Sequence, residues 1–149
     1  MPYDDLCKGR HSAPGQVYLV TTVSAGRIAH FSDFTAARCV VAEMRRTQQT
    51  GAVDSLAWVL MPDHLHWLFQ LGEGYSLGKV MQGFKGRSAR AINTPGGLHR
   101  EIWQRGYHDH ALRAEEDVRA IAHYIAANPL RAALVTRLGD YPHWDAVWL

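Results

Sequence analysis

A chain of 149 residues with 47% hydrophobic residues has the size and composition of one globular domain. No window approaches the roughly 18 apolar residues of a membrane span, and the polar start lacks the apolar core of a signal peptide, so we expect a cytoplasmic protein without a membrane partner. Cys7 and Cys39 stand apart, which excludes a zinc finger and a disulfide framework. The net charge of +2 permits nucleic-acid binding without requiring it.

The hydrophobic pattern predicts strands alternating with helices along the chain. Listed in order, the elements are a strand at 17–23, a helix at 33–49 capped by Ser32, strands before and after Pro62-Asp63, a helix at 77–92 capped by Ser76, a strand at roughly 102–113, and a third helix whose first turn holds Glu115-Glu116-Asp117 and which Pro129 ends. This order predicts an α+β fold of the ferredoxin-like (RRM-like) type, with helices on one face of an antiparallel sheet and an extra C-terminal helix.

The run WVLMPDHLHWLFQL contains the most informative motif of the chain, His64-Leu65-His66. Side chains on a strand alternate between faces, so the two histidines share one face while Leu65, Trp67 and their apolar successors share the other. The apolar set must pack into a core. The two imidazoles are therefore brought side by side, close enough to hold one metal ion, although hydrogen bonding of either ring to nearby backbone remains the alternative.

Two imidazoles need a third ligand to form a metal site that can do chemistry. The candidates in the sequence are His99, His108, His110, His123, Asp109, Tyr124 and Asn128. Tyr124 and Asn128 are four residues apart, which places them one above the other on the third helix. A tyrosine beside an apolar stripe usually packs into a core, so the pattern leaves its role open.

Arginine accounts for 13 of the 16 basic residues, and its planar side chain suits phosphate recognition. Lys79, Arg87 and Arg90 fall opposite the apolar stripe of the second helix, and Arg105 follows nearby. These residues form either a track for a DNA backbone or an ordinary solvated helix face. Lys8 and Arg10 give residues 1–14 the character of a basic N-terminal arm, and residues 136–149 form an aromatic tail.

Three blocks of the chain resemble the REP-associated tyrosine transposases, a branch of the transposases that use an HUH motif and one tyrosine. These blocks are VLMPDHLHWLF, WQRGYHDHALR and EEDVRAIAHYIAANPLRAALV, and the start at Pro14-Gly15 and the tail motif YPHW are also similar. The resemblance spans nearly the whole chain as a single domain, 1–149. Asp63 stands where an asparagine is common, and Ala126-Ala127 replace bulkier or polar residues.

The resemblance implies that Tyr124 is the nucleophile of a DNA strand-transfer reaction. It implies that His64 and His66 bind Mg²⁺ or Mn²⁺ and that Asn128 completes the metal site. The expected partner is a single-stranded DNA hairpin, read in part by the N-terminal arm, with no small-molecule cofactor. Related enzymes allow either a monomer or a homodimer that shares its tyrosines.

Two other functions stay open from the residues alone. The histidine pair with a third histidine or aspartate suits a metal-dependent hydrolase. A nucleic-acid-binding protein without catalysis is also compatible with this fold, although such proteins stack bases on exposed sheet aromatics, and the predicted face carries histidines instead.

Overall fold

The computed structural model describes residues 15–113 and 116–147, so the predicted arm with Lys8 and Arg10 lies outside the described residues. The strands are β1 (Val17–Val23), β2 (Val53–Met61), β3 (His64–Leu71), β4 (His108–Ala111) and β5 (Trp144–Ala146). The α-helices are α1 (Phe34–Gln49), α2 (Leu77–Asn93), α3 (Val118–Ala126) and the single turn α4 (Asn128–Arg131).

The strands form one antiparallel sheet in the order β4-β1-β3-β2-β5. The β2–β3 hairpin turns at Pro62-Asp63, as predicted, and β3 lies in the centre of the sheet. The elements from β1 to β4 follow the βαββαβ order of the ferredoxin-like fold. The predicted α+β class and topology are therefore confirmed.

One face of the sheet packs against α1 and α2. Leu65, Trp67, Phe69 and Leu71 of β3 lie on this face and are each at most 1% exposed. They form a single apolar cluster with side chains of both helices, including Met81 of α2. The predicted alternation along β3 is confirmed, and it directs His64 and His66 to the opposite face.

The opposite face is partly covered by α3. Leu68 of β3 and Val59 of β2 form a second apolar cluster with Ala122 and Ile125 of this helix. The extra C-terminal helix therefore lies on the face of the sheet that also carries His64 and His66. This arrangement places helices on both faces rather than on one.

Several predicted boundaries were wrong for local reasons. Asp33, not Ser32, caps α1, because its carboxylate accepts a hydrogen bond from the amide of Thr35. The strand predicted at 102–113 is ordered as a strand only at His108–Ala111, with an isolated bridge between Trp103 and Ser24. Asp117 is the N-cap of α3 rather than a residue of its first turn, and Glu115 lies outside the described residues.

The described part of the C-terminal tail contains a strand that the sequence did not predict. Its three residues, Trp144–Ala146, pair with β2 at the edge of the sheet. Over residues 15–113 and 116–147, no helix is long and apolar enough to cross a membrane.

Candidate active site

His64 and His66 stand at the start of β3, directly after the hairpin turn. Their ring centroids lie 4.8 Å apart and the ring planes meet at 81°. Both residues are partly buried. The two imidazole rings therefore lie side by side, as predicted, and are near enough to bind one ion.

Each imidazole is oriented through its Nδ1 atom. Nδ1 of His64 lies 2.7 Å from Oδ1 of Asp63, and Nδ1 of His66 lies 2.8 Å from the Thr21 hydroxyl. A carboxylate only accepts, so Nδ1 of His64 donates in this contact and Nε2 is the ring nitrogen left for a metal ion. Metal-binding histidines in proteins are typically held in this way, through the nitrogen that does not touch the metal.

The carboxylate of Asp63 is itself held in its charged form. Burial alone raises the pKa of Asp63, but the hydrogen bonds and charges of His64 and Arg27 outweigh it and lower the pKa below its usual value. Arg27 Nη1 lies 3.4 Å from Oδ2 of Asp63. A negative charge therefore stands behind His64 at neutral pH.

His66 is held in its neutral form. Burial lowers the pKa of His66 to about 4, with smaller contributions from the charges of His64 and Arg131. An imidazole must be unprotonated to donate a lone pair to a metal ion. The surroundings of His66 thus keep it ready as a ligand at neutral pH.

Tyr124 lies near the C-terminal end of α3, on the surface. Its side chain belongs to the exposed hydrophobic residues, at 65% exposure. The neighbouring Ala122 and Ile125 anchor the helix to the sheet, so the phenol is carried on a fixed element but left accessible. The Tyr124 side chain is therefore not packed into the core, which is the usual position of a tyrosine beside an apolar stripe.

Contrary to the prediction, Asn128 does not lie on the same helix as Tyr124, because α3 ends at Ala126 and Asn128 begins the separate turn α4. The guanidinium of Arg131 joins this residue to Tyr124. Arg131 Nη2 donates a 2.6 Å hydrogen bond to the backbone oxygen of Tyr124 and a second, very short one to Oδ1 of Asn128. Its Cζ lies 3.9 Å from the centroid of the Tyr124 ring.

The donor set fits a metal site of two imidazoles and one amide oxygen. Within the described residues, no three histidine, cysteine, aspartate or glutamate side chains come together in a metal-binding cluster. His110, one of the candidates, instead lies 3.0 Å from the carboxylate of Glu116. Asn128 stays the candidate third ligand, because Arg131 ties it to Tyr124 and the charge of Arg131 acts on His66.

Three of the predicted basic residues, Lys79, Arg87 and Arg105, line two grooves that share Lys79. Lys79 and Arg105 line a groove of about 750 Å³ between α2 and residues 100–107, while Arg90 is exposed farther along α2. Arg87, which the sequence places opposite the apolar stripe of α2, is partly exposed but is engaged by an ion pair. Its Nε donates to the buried carboxylate of Glu43 on α1 at 3.1 Å, because that carboxylate needs a partner between the two helices.

Lys85, which the sequence analysis did not single out, lines the same groove. Its Nζ donates to the backbone oxygens of Gln104 and Gly106 at 2.8 and 2.6 Å. Burial lowers the pKa of Lys85 to about 8, although the charge of Glu101 acts in the opposite direction. Lys85 therefore fastens the loop to α2.

Thr21, Asp63 and Arg131 are site residues that sequence reasoning missed. Thr21 faces His66 across the β1–β3 pair, a relationship that depends on strand register. In the sequence, Asp63 stands out as a turn residue and as a departure from the family pattern, and neither feature indicates its contact with His64. Arg131 lies three residues after Asn128, and this helical spacing is the sequence signal that indicates a contact between the two side chains.

The model of one protein family matches most of this chain. The family model described as "Transposase IS200 like" matches residues 18–128, which include both histidines, Tyr124 and Asn128. The chain belongs to the IS200-like transposase family. The resemblance found in the sequence is confirmed.

Two relatives show how far the similarity extends. The REP-associated tyrosine transposase of Escherichia coli K12 is 32% identical over 87 residues, covering 58% of this chain and 50% of the relative. The chain thus spans about half the length of that relative. A solved REP-associated tyrosine transposase, described as bound to a REP hairpin, superposes with a TM-score of 0.74 at 24% identity, over 91% of this chain and 79% of the other. At that identity the superposition establishes the shared fold.

Proposed function

We propose that this protein cleaves and rejoins single-stranded DNA at hairpin sequences of the REP type, with Tyr124 as the nucleophile. The proposed metal ligands are His64, His66 and Asn128. The observation that carries the proposal is the position of Arg131, which contacts Tyr124 and Asn128 while its charge acts on His66. Membership of the IS200-like family and the REP hairpin held by a relative support the choice of substrate.

The reaction exchanges one phosphodiester bond for another. The hydroxyl oxygen of Tyr124 attacks the phosphorus, forming a bond between the tyrosine oxygen and the 5′-phosphate. The bond from phosphorus to the 3′ oxygen breaks, its electron pair stays on that oxygen, and the proton lost by the phenol completes a free 3′-hydroxyl. Since the phosphotyrosine conserves the bond, a 3′-hydroxyl from another strand can attack it and release the tyrosine without ATP.

The residues around the histidine pair suit a divalent ion. When bound, Mg²⁺ or Mn²⁺ supplies positive charge to the scissile phosphate and to the charge that develops on it. Asp63 and Thr21 orient the two imidazoles, and the low pKa of His66 keeps one of them unprotonated. Two imidazoles and a single neutral oxygen form a weak site for Mg²⁺, so we expect appreciable occupancy only when a DNA phosphate adds its oxygen.

The DNA backbone is proposed to contact Lys79, Arg90 and Arg105, together with Lys8 and Arg10 of the N-terminal arm. We leave Arg87 out of this set because its Nε is engaged by Glu43. Contacts of this kind carry little sequence information and weaken steeply as salt is raised.

The alternative hydrolase mechanism needs a third metal ligand that the described residues do not supply. It requires a third histidine or an aspartate beside His64 and His66, and no such cluster occurs among residues 15–113 and 116–147. An exposed tyrosine is also unnecessary for a hydrolase, whereas a nucleophile that attacks a long DNA strand must be accessible.

The test is a covalent-adduct assay. The protein is incubated with Mn²⁺ and single-stranded DNA that carries repetitive hairpins from the regions flanking its gene, and the products are run on a denaturing protein gel. The label is placed at the 3′ end, because a 5′-phosphotyrosine holds the part of the strand downstream of the cleaved bond. We expect labelled DNA to migrate with the wild-type protein and with Tyr75→Phe, a partly exposed control tyrosine, but not with Tyr124→Phe. An adduct in Tyr124→Phe, or cleavage by the wild type without an adduct, would overturn the proposal.

A further inference from the structure

Arg131 makes an unusual set of contacts for an exposed side chain. Its guanidinium lies against the Tyr124 ring, and one nitrogen donates to both the Tyr124 backbone oxygen and the Asn128 amide oxygen. Exposed arginines usually stay hydrated, since an ion pair at the surface contributes little to stability. Here the cation is held against the nucleophile and the third metal ligand at once.

The bland explanation is that Arg131 caps a helix. A basic side chain often binds the last carbonyl oxygens of a helix, and the hydrogen bond to the Tyr124 oxygen at the end of α3 fits that role. A cap does not require stacking on the Tyr124 ring or a hydrogen bond to the Asn128 side chain. Both of these contacts point toward the reacting groups rather than toward the end of the helix.

The guanidinium keeps further donors available. Arginine has five N–H groups, arranged in a planar fork that matches two oxygens of a phosphate. Among the described residues, Nη2 is the atom that donates to Tyr124 and Asn128. Because Cζ lies 3.9 Å from the Tyr124 ring centroid, the whole guanidinium, including Nε and Nη1, lies beside this ring. A phosphate that the phenol oxygen attacks must also lie beside the ring.

We propose that Arg131 is a catalytic residue that binds a non-bridging oxygen of the scissile phosphate and fixes the Tyr124 ring and the Asn128 amide in register with it. This inference rests on the proposed function and deepens it by naming the group that receives the phosphate. One cation thereby links the nucleophile, the third ligand and the substrate. Pre-positioned charge of this kind acts on the negative charge that develops in phosphoryl transfer.

The first test couples the arginine to the phosphate charge. After the wild type has been used to map the cleavage position, DNA with a normal or a neutral methylphosphonate linkage at that position is titrated against Tyr124→Phe and Tyr124→Phe/Arg131→Ala. EDTA is present, so that no metal ion contributes to phosphate binding. We expect the methylphosphonate to weaken binding about 10-fold in the first protein and to have no effect in the second. Equal effects of the methylphosphonate in both proteins would reduce Arg131 to a helix cap.

The second test measures the rate of adduct formation at saturating DNA. Arg131→Ala is expected to lower the rate about 100-fold, the usual loss for one charge-stabilising donor. Arg131→Lys should recover part of that loss, because it keeps the charge without the fork. Arg119→Ala, which removes an exposed charge from α3, the helix that carries Tyr124, is the matched control and should not change the rate. Thermal unfolding identifies any variant that fails to fold, and wild-type rates in folded Arg131→Ala would overturn the inference.

A third test does not depend on cleavage. The side-chain ¹⁵N resonance of Arg131, assigned by its loss in Arg131→Lys, is followed as the dinucleotide thymidylyl-(3′→5′)-thymidine is added. A shift that saturates supports a phosphate contact at Arg131, and its absence contradicts one. If the wild type forms no adduct but this resonance shifts, the proposed strand transfer fails while the phosphate site stands.

Discussion

Asp63 lies 2.7 Å from Nδ1 of His64, so a carboxylate holds the imidazole from the side opposite the candidate metal. The same carboxylate is approached by Arg27, and the backbone around it is fixed by the hydrogen bond from the Ser24 amide to the Asp63 oxygen. The turn residue that departs from the usual family pattern therefore contacts one of the two candidate metal ligands. A carboxylate at this position accepts the hydrogen bond from Nδ1 with a negative charge, whereas an asparagine would accept it with a neutral amide oxygen.

Replacing Asp63 should weaken metal binding. We expect Asp63→Ala to lower the affinity for Mn²⁺ about 10- to 100-fold, the usual effect of removing a partner of a metal-bound histidine. Asp63→Asn should have a smaller effect, because its amide oxygen still accepts the hydrogen bond from Nδ1. Electron paramagnetic resonance of free Mn²⁺, with DNA present, measures the affinity. Equal affinity in all three proteins would remove Asp63 from the site.

Thr21 offers a matched test on the other imidazole. Thr21→Val keeps the β-branched shape that suits β1 but removes the hydroxyl beside His66 Nδ1. We expect Mn²⁺ binding to weaken about 10-fold, while the loss of one hydrogen bond costs about 1 kcal/mol of stability. Thr21→Ser restores the hydroxyl and should restore binding. Failure of serine to do so would assign the effect to packing.

We expect substitutions of Arg87 and of Arg90 to differ in their effect on stability, although both residues lie on α2. Arg87→Ala leaves the buried Glu43 carboxylate without its closest cation, so we expect the free energy of unfolding to fall by about 1–3 kcal/mol in urea titrations. Arg90→Ala should change stability by less than about 0.5 kcal/mol. In the background of Glu43→Gln, the effect of Arg87→Ala should shrink. An unchanged effect there would mean that Arg87 stabilises the fold by some other contact.

The titration of Tyr141 should lower the free energy of unfolding at alkaline pH. Burial raises the pKa of Tyr141 to about 12, while its hydroxyl donates to the backbone oxygen of Leu60. Between about pH 10, the ordinary pKa of tyrosine, and pH 12, the folded state keeps a proton that the unfolded state releases, so stability decreases as pH rises. The difference in urea midpoint between the wild type and Tyr141→Phe should therefore narrow across this range and be constant below it. A constant difference up to pH 12 would contradict the raised pKa.

The sequence by itself determined the sheet and the direction of the histidine pair. Strand alternation is a local property with a period of two, so the apolar set from Leu65 to Leu71 was enough to send His64 and His66 to the other face. The same local signals placed β1, the β2–β3 hairpin and the Ser76 cap of α2. The resemblance named the family and the candidate nucleophile, which spacing alone left open.

The tertiary structure decided which residues meet across long separations of the chain. Thr21 reaches His66 through strand register, Arg87 turns to Glu43 between two helices, and β5 adds to the edge of β2. A helical or strand pattern states which face is apolar, but it does not state what packs against that face. The placement of α3 on the histidine face, and of Arg131 against Tyr124, thus follows from packing against the sheet, which local periodicity does not encode.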